Sequence, residues 1–576
     1  MRFTFAFLLL CGLVLPASMN AQLGWSKRTY NVTGIKVERG DFTGDGFPDL
    51  LVYGGNDITV IPNAGNGTFD VAHAHSFSNQ FFGTAALADF NRDGKMDVAG
   101  CTNSGVEILE GNGDGSLSFL RTIETGCSWV AAADFNGDGN PDLAVGSGAP
   151  TRSTGNQVSI YLGDGHGGFS APVINNNVDF TSSEGNACSL NGRAIAADFT
   201  GDKVPDLFIT ADCPNFVVSS SAVIVGKGDG TGHFTFHRDI ETSYDSDMNL
   251  RLTEGNNDGK NDVVAVGQGS APHGAGSSAL VLFLSHGDGT FESKQVAGIL
   301  SGEPGGILKA GAFVDFDGDG IKDGIAMIDS FDDLGNETMT MQFYKGQPDG
   351  TYKLTQTSPL ASWALDMVWG DYDKKGRADL ALVRPNSTDV WLNTTTSAPP
   401  CAASPGLRTL SFCFFNDSPG MYRFFASPLD NLQINAMQIY VDGAVKFQTP
   451  DDFLSTKLQI GDGTHRITLK AWDDQGAFSN TTNVTVCTNS TNRSVRICAP
   501  QNGIVTGNPV HVLAAANTSL GLMSLQLYVD GILKFQTTLQ TLKFDVSGLS
   551  TGTHHFTVKG WDSSGAFSSA VSVTVH

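Results

Sequence analysis

The stretch DFNGDGNPDLAV, residues 134–145, decides the fold of this chain, because its acidic pattern occurs seven times in the first 400 residues. Successive copies start 45 to 64 residues apart, at Asp41, Asp89, Asp134, Asp198, Glu254, Asp315 and Asp371. A short apolar stretch precedes each copy and another follows it, such as VAAA before Asp134 and LAVG after Asp142. Each repeated unit is therefore predicted to be a strand, an acidic loop and a second strand.

The acidic loops have the spacing of oxygen atoms that a hard cation needs. Positions 1, 3, 5 and 9 mostly carry Asp, Asn or Thr, and position 6 is usually Gly. Side-chain oxygens on alternate residues can wrap a calcium ion, as in the first part of an EF-hand loop. Magnesium fits less well because it demands a near-ideal octahedron, and zinc prefers Cys or His, which the copies lack. The pattern therefore favours calcium.

Acidic residues in these loops account for most of the charge of the chain. The four positions carry 22 carboxylates in the seven copies, against a net charge of -24. The alternative interpretation is that Asp-Gly and Asn-Gly runs are only hairpin turns. Seven copies that all keep an Asp at position 9 favour metal loops, because a simple turn does not need that carboxylate.

A second element follows six of the copies, and it predicts a further turn in each unit. It occurs as GNGTF from Gly65, GDGSLSF from Gly113, GDGHGGF from Gly163, GDGTGHF from Gly228, GDGTF from Gly287 and PDGTY from Pro348. Each follows an alternating strand pattern, which is typical of a tight turn between a third and a fourth strand. Four strands in about 50 residues are typical of a propeller blade.

Residues 24–396 resemble the FG-GAP or VCBS repeats of integrin alpha-subunit propellers and of many secreted bacterial proteins. The resemblance implies an all-β chain with a seven-bladed β-propeller over residues 22–396 and calcium held structurally between the first and second strands of blades. Matched residue by residue, it implies calcium ligands at Asp41, Thr43, Asp45, Asp49, Asp89, Asn91, Asp93, Asp97, Asp134, Asn136, Asp138, Asp142, Glu254, Asn256, Asp258, Asp262, Asp315, Asp317, Asp319 and Asp323.

Two copies depart from this pattern. The fourth copy has Lys203 where Gly would ease a left-handed turn, and the seventh has Lys375 at position 5, where an ammonium would replace the ion. The seventh loop is therefore expected to bind calcium most weakly. The corresponding candidate ligands are Asp198, Thr200, Asp202 and Asp206 in the fourth copy, and Asp371, Asp373 and Asp379 in the seventh.

The seventh copy ends without a fourth strand. After VWLN at residues 390–393 no turn element appears, whereas LGWSKRTYNV near residue 23 precedes the first motif at the distance expected of an outer strand. The N-terminal segment is therefore predicted to complete blade seven.

A different duplication follows a Thr-, Ser- and Pro-rich linker. MQIYVDGAVKFQT from Met437 returns as LQLYVDGILKFQT from Leu525, and the GTH segment from Gly463 returns from Gly552. These copies resemble bacterial immunoglobulin-like modules and predict two β-sandwiches, over residues 397–490 and 491–576. Trp472 and Trp561 suit the sandwich cores. Asp473 and Asp562 are predicted to be exposed turn residues, with ion binding as the alternative.

Residues 1–21 have the layout of a secretory signal peptide, which predicts a secreted or extracellular protein, soluble or associated with a surface. The eight cysteines beyond Cys11 suit an oxidising compartment. Cys101 with Cys127 and Cys188 with Cys213 are the best candidate disulfides. Proximity suggests two more, between Cys401 and Cys413 and between Cys487 and Cys498.

The acidic balance argues against nucleic acid as a partner, and no later apolar stretch is long enough to span a membrane. Three functions compete: a calcium-binding scaffold for adhesion or for recognition of an extracellular protein or glycan, a polysaccharide hydrolase or lyase, and a purely structural surface protein. No nucleophile elbow, catalytic carboxylate pair or zinc motif stands out, so the chain is predicted not to be an enzyme. Long insertions near residues 146, 175, 266 and 330 predict a ligand on the face opposite calcium.

Overall fold

The structure is a computed structural model, and it describes residues 23–78, 80–147, 156–175, 188–190, 192–214, 219–242, 248–256, 258–268, 278–299, 306–331, 337–360, 362–395, 407–418, 420–430, 432, 434–451 and 453–576. The predicted signal peptide, residues 1–21, lies outside this part of the chain. So do most residues of the four long insertions.

The described residues confirm the predicted all-β fold: they form strands and turns with one short 3₁₀ turn at Val71–His73 and no α-helix. The strands of the repeat region are β1 (Trp25–Tyr30); β2 (Lys36–Gly40), β3 (Asp49–Tyr53), β4 (Ile58–Ile61), β5 (His75–Phe77); β6 (Phe82–Ala88), β7 (Asp97–Thr102), β8 (Gly105–Gly111), β9 (Leu117–Ile123); β10 (Trp129–Ala133), β11 (Asp142–Ser147), β12 (Gln157–Tyr161), β13 (Val173–Asn175); β14 (Ala194–Ala197), β15 (Asp206–Pro214), β16 (Ser219–Gly228), β17 (Phe234–Thr242); β18 (Asn249–Thr253), β19 (Asp262–Gln268), β20 (Ser278–Ser285), β21 (Phe291–Ile299); β22 (Gly306–Val314), β23 (Asp323–Phe331), β24 (Glu337–Gly346), β25 (Tyr352–Pro359); β26 (Asp366–Gly370), β27 (Asp379–Arg384) and β28 (Ser387–Asn393).

These strands form seven antiparallel four-stranded sheets, numbered here sheet 1 (β2–β5) to sheet 7 (β26–β28 with β1). Strand β1 pairs with β28, with Trp25 opposite Asn393 and Tyr30 opposite Thr388. This pairing confirms that the N-terminal strand completes the last sheet. The fourth strand of sheet 7 is thus the first strand of the described chain.

The seven sheets pack in a ring around their first strands. Six apolar clusters lie between successive sheets, and one of them joins sheet 7 to sheet 1. Strand β2 also contacts β26 directly. Alternation along each strand supplies these clusters: Leu51 packs toward sheet 2, whereas Leu50 and Val52 pack toward sheet 7. Each sheet therefore buries both of its faces.

The C-terminal part contains two further units, named module 1 and module 2. Module 1 comprises β29 (Thr409–Ser418), β30 (Met421–Leu429), β31 (Ala436–Val441), β32 (Ala444–Thr449), β33 (Leu454–Gln459), β34 (Gly463–Asp473) and β35 (Gly476–Val486). Module 2 comprises β36 (Ser494–Ala499), β37 (Val505–Thr506), β38 (Val510–Asn517), β39 (Ser524–Val529), β40 (Ile532–Thr537), β41 (Thr541–Val546), β42 (Gly552–Asp562) and β43 (Gly565–Val575). In each module two sheets share one apolar core.

Two expectations about these modules were wrong. Trp472 and Trp561 are not core residues: both lie on the outward face of their strand, and Trp561 is 38% exposed. Asp473 and Asp562 are buried rather than exposed, and their carboxylates pair with arginines. Side chains alternate along a strand, so an inward Asp places the neighbouring Trp outward.

Three predicted disulfides are present, Cys101–Cys127, Cys188–Cys213 and Cys487–Cys498. The last one links the end of module 1 to the first strand of module 2. Cys401, the predicted partner of Cys413, lies outside the described residues. Within the described part of the chain, no helix is long and apolar enough to cross a membrane.

Candidate metal-binding loops

All seven acidic motifs occupy the same place in their sheets. Position 1 directly follows the first strand, and position 9 is the first residue of the second strand. Position 1 is occupied by Asp41, Asp89, Asp134, Asp198, Glu254, Asp315 and Asp371, and position 9 by Asp49, Asp97, Asp142, Asp206, Asp262, Asp323 and Asp379. Because the sheets form a ring, these loops, named loops 1 to 7, share one face of it.

The position 9 carboxylate ties each loop to the third strand. In loop 1, Asp49 Oδ2 accepts a hydrogen bond from the Phe42 backbone N–H at 2.8 Å, and its Oδ1 accepts one from the Asn63 N–H at 2.7 Å. The same two bonds occur in the other six loops. The carboxylate at position 9 therefore has a structural role of its own, and the expectation that this turn would not need it without a metal is wrong.

The position 1 carboxylate folds the loop around itself. In loop 3, Asp134 Oδ1 accepts from the Gly137 N–H at 2.7 Å and Oδ2 from the Gly139 N–H at 2.8 Å. Gly139, at position 6, has φ +85°, a left-handed conformation that glycine adopts without strain. In loop 4 Lys203 takes the same conformation, with φ +71°. The departure predicted for this copy thus leaves the backbone path unchanged.

The remaining candidate ligands lie between these two anchors. Position 3 is Thr43, Asn91, Asn136, Thr200, Asn256, Asp317 or Asp373, and position 5 is Asp45, Asp93, Asp138, Asp202, Asp258, Asp319 or Lys375. The position 5 carboxylates bond to the backbone two residues on, as Asp138 Oδ1 does with the Asn140 N–H at 2.8 Å. In loops 1 to 6 all four predicted ligand positions therefore carry an oxygen-bearing side chain, but three carboxylates come close together only in loops 5, 6 and 7 among the described residues.

Burial and like charges raise the pKa values of the carboxyl groups at position 9 of all seven loops. Burial raises the pKa of Asp49 to about 8, with a further contribution from Asp41 and Asp45, and burial raises that of Asp41 to about 6. For the same main reason the pKa of Glu254 rises to about 8 and that of Asp262 to about 7. A bound cation would supply the countercharge that these loops lack.

Loop 5 fits a calcium ion best. In loops 5, 6 and 7 three carboxylates approach within 4.8 Å of one another, and in loop 5 these are Glu254, Asp258 and Asp262. Glu254 is completely buried, and its Oε2 has no hydrogen-bond partner. A buried carboxylate oxygen without a partner is costly unless a cation is bound beside it. The donor set of oxygens is the one calcium prefers.

Ammonium groups lie beside several of the loops, and sequence reasoning anticipated only one of them. Lys375 Nζ lies 2.6 Å from Asp373 Oδ2 in loop 7, in line with the expectation for that copy. Lys95 and Lys260 pair similarly with Asp93 and Asp258, in loops 2 and 5.

Two further lysines reach their loops from the third strand of the same sheet. Lys345 pairs with Asp317 and Asp319 in loop 6. Lys227 Nζ lies 3.2 Å from Asp202 Oδ2 in loop 4. These two were missed because their strands lie outside the acidic motif.

Module 1 packs against this face of the ring. Lys322, at position 8 of loop 6, forms a buried ion pair of 2.8 Å with Asp451 of module 1. Ser455 Oγ donates a hydrogen bond to Asp315 Oδ2, and Lys374 Nζ donates one of 2.8 Å to the Pro428 carbonyl. Module 1 thus bonds directly to a predicted calcium ligand.

A cavity of about 720 Å³ lies between module 1 and the first strands of the ring. Its walls include Ala86, Ala132 and Ala196 from those strands, together with Arg251 and Asp473. Arg251 pairs with Glu38 at 3.1 Å and with Asp366 at 3.4 Å, which links sheet 5 to sheets 1 and 7 across the ring. Nothing in the repeat motif indicates this chamber.

A family model described as FG-GAP-like repeat matches residues 41–100, 89–145 and 256–326. The chain therefore carries FG-GAP-like repeats. It is 40% identical over 86 residues to a phosphatidylinositol-glycan-specific phospholipase D from Homo sapiens, and 40% identical over 85 residues to the one from Bos taurus. Each match covers 14% of this chain and 10% of the relative, so the chain spans about a tenth of those proteins.

The solved structures similar to the chain include propeller-like ones. The match to a lectin from Agrocybe aegerita that recognises non-reducing terminal N-acetylglucosamine covers 62% of this chain and 86% of the lectin, at TM-score 0.35 and 18% identity. The Dos1 propeller covers 60% and 76%, at TM-score 0.34 and 11% identity. An ancestral GH74 enzyme covers 95% and 63%, at TM-score 0.34 and 11% identity.

Proposed function

We propose that this chain is a secreted, non-enzymatic scaffold that recognises an extracellular protein or glycan. Its core in this proposal is a seven-bladed propeller stabilised by calcium, followed by two immunoglobulin-like modules. The observation that carries the proposal is the repeated loop architecture, in which the same buried carboxylates recur at one face of a ring of seven sheets. The proposed role of calcium is structural.

The loops explain how an ion would stabilise the ring. Side chains at positions 1, 3 and 5 would hold it, and the position 9 carboxylate already joins the loop to the third strand. Bound calcium would supply positive charge to groups such as Glu254 and Asp262, whose pKa values burial raises. Calcium would thus brace three strands of a sheet at once.

We propose that recognition takes place on the face of the ring opposite the acidic loops, because module 1 packs on the loop face. Since it packs on the loop face through Lys322, Asp315 and Lys374, that face is partly covered. On the opposite face, β11 ends at Ser147 and β12 begins at Gln157, so the connection between them emerges there. Three of the long insertions follow second strands in this way, and binding residues tend to gather in such connections on a rigid scaffold.

The test of recognition uses residues 22–576 on glycan and matrix-protein arrays, with calcium and with a chelator. Each of the four insertions is then replaced by a short turn. Loss of binding in at least one of these variants, with an unchanged melting temperature, is the expected result. Binding that survives all four replacements would place the site elsewhere. Cleavage of a polysaccharide during the same screen would contradict the non-enzymatic role.

The test of calcium uses loop 5. Glu254→Gln combined with Asp258→Asn should remove one bound calcium in equilibrium dialysis. Glu292→Gln, an exposed carboxylate on β21 of the same sheet, is the matched control and should leave the stoichiometry unchanged. An unchanged calcium count in the loop 5 variant would contradict calcium binding there.

A further inference from the structure

One position at the end of the third strand lies next to the acidic loop of each sheet. It directly precedes the residue whose backbone N–H bonds to the position 9 Asp. In sheet 6 that donor is Gly346, and the residue before it is Lys345. Across the seven sheets this position, named the third-strand position, is occupied by Pro62, Glu110, Leu162, Lys227, Leu284, Lys345 and Leu392.

The residue at the third-strand position reaches the centre of the loop when it is long and polar. Glu110 Oε1 accepts a hydrogen bond of 3.0 Å from Asn91 Nδ2, at position 3 of loop 2. Lys227 pairs with Asp202, at position 5 of loop 4. The position can therefore add either a negative or a positive charge to the predicted ligand set.

Lys345 places its ammonium among the predicted ligands of loop 6. Its Nζ bonds to Asp317 Oδ2 and lies 2.7 Å from Asp319 Oδ2, so it contacts positions 3 and 5 together. Lys345 is 21% exposed and Asp317 only 7%. Loop 6 has four carboxylates at the ligand positions, the largest number in the chain. The ammonium thus lies where the concentration of negative charge is highest.

An ammonium and a calcium ion cannot both occupy this place. Calcium binds oxygens at about 2.3–2.6 Å and needs six to eight of them, whereas an ammonium only donates hydrogen bonds and carries the same sign of charge. In loop 5 the third-strand position is Leu284, and Glu254 Oε2 remains without a partner. Lys260 pairs with Asp258 in loop 5 but leaves this Glu254 oxygen open, whereas Lys345 bonds to two ligand positions of loop 6.

We infer that Lys345 is a built-in cation that replaces calcium in loop 6, which revises the expectation that Asp315, Asp317, Asp319 and Asp323 bind the ion. Lys227 does the same in loop 4, where it meets a single carboxylate. This inference rests on the proposed calcium binding of the other loops. In loops 1 to 6, where position 5 is Asp, the third-strand position therefore determines which loops depend on calcium: apolar or acidic residues keep the site open, and lysine closes it. In loop 7 the lysine is at position 5 itself.

The experiment counts bound calcium by native mass spectrometry on residues 22–576. Lys345→Met, which keeps the length of the side chain and removes its charge, should bind one calcium more than the wild type. Lys353→Met, an exposed lysine on β25 of the same sheet, is the matched control and should change nothing. Adding Asp319→Ala to Lys345→Met should remove the extra ion.

Asp319→Ala in the wild-type background tests the inference without altering Lys345. The calcium count should stay the same, because loop 6 holds no ion to lose. A loss of one ion in this variant, or a folded Lys345→Met protein without an extra ion, would overturn the inference. If the wild type binds no calcium and Lys345→Met binds one, the proposed role of calcium in the other loops fails and the inference stands. No calcium in either protein would overturn both.

Discussion

Modules 1 and 2 share one scaffold but meet the rest of the chain differently. In both, an aspartate of the YVDG turn bonds to a histidine of the GTH segment at 2.6 Å, Asp442 with His465 and Asp530 with His554. Their differences lie where module 1 contacts the loops. Ser455, which bonds to loop 6, corresponds to Lys543 in module 2. A few substitutions on a common sandwich thus create an interface.

The two modules also differ around the buried aspartate that pairs with an arginine, Asp473 in module 1 and Asp562 in module 2. In module 2, Thr518 Oγ1 donates a hydrogen bond of 2.8 Å to Asp562 Oδ2. At the matching position module 1 has Asp430, whose pKa burial and the neighbouring Asp473 raise to about 8. A carboxyl group whose raised pKa favours the protonated form thus takes the place of a hydroxyl, next to the cavity that module 1 covers.

Removal of calcium by a chelator should produce the largest difference between the two modules. Removing an ion that binds only the folded state at a hundred times its Kd lowers stability by about 2.7 kcal/mol per site. Amide exchange with EDTA should therefore rise in the ring and, because module 1 packs on the loop face of the ring, also in β33 of module 1, while β41 of module 2 keeps its protection. Loop 6 itself has no ion to lose. Equal changes in β33 and β41, or none in the ring, would contradict the comparison.

Replacing Asp451 with leucine, the residue at the matching position 539 of module 2, should have the next largest effect on stability. Asp451→Leu leaves the buried Lys322 ammonium without its partner, which typically costs about 3–5 kcal/mol. The reciprocal change, Leu539→Asp, lies at a position that is 67% exposed and should alter stability by about 0.5 kcal/mol or less. Urea denaturation of both variants measures this, and similar losses would show that Asp451 does not anchor the interface.

Asp430→Thr should make module 1 resemble module 2 in its pH dependence. Because the pKa of Asp430 is raised in the folded state, the folded protein binds more protons than the unfolded one between pH 4 and about 8. Wild-type stability should therefore fall, relative to the variant, as the pH rises through that range. We expect a fall on the order of 2 kcal/mol, because solvent screening reduces the full value of about 1.4 kcal/mol per pKa unit. Parallel stability curves for the two proteins would contradict a protonated Asp430.

Replacing the histidine of each Asp–His pair should have the smallest effect on stability, and the effect should be equal in the two modules. The bond to Asp442 raises the pKa of His465, and the bond to Asp530 raises that of His554. Their contribution is present below the unfolded pKa of about 6.5 and is lost as pH rises through the raised folded value. His465→Gln and His554→Gln should each cost a fraction of a kcal/mol, because these pairs are partly exposed to solvent. A large effect in one module alone would show that the two Asp–His pairs are not equivalent.

Local pattern alone predicted much of this protein. The spacing of Asp41, Asp45 and Asp49 and its repetition placed every acidic loop between a first and a second strand, and the alternation of apolar residues predicted the sheets. Acidic loops and strand alternation depend on neighbours within a dozen residues, so the amino-acid sequence is enough to predict them. The pairing of β1 with β28 could also be predicted, since a repeat that lacks one strand needs another to complete its sheet.

Only the tertiary structure decided which groups surround each loop. Lys345 lies 28 residues from Asp317, and Ser455 lies 140 residues from Asp315, and no periodicity links them. The two roles of Asp49, as predicted ligand and as a bond between strands, also emerge only when the third strand packs beside the loop. Packing brings these distant side chains together, and burial then makes each unpaired charge costly. The composition of a loop therefore predicts that it attracts a cation, and under the proposed function the fold determines whether that cation is calcium or a lysine.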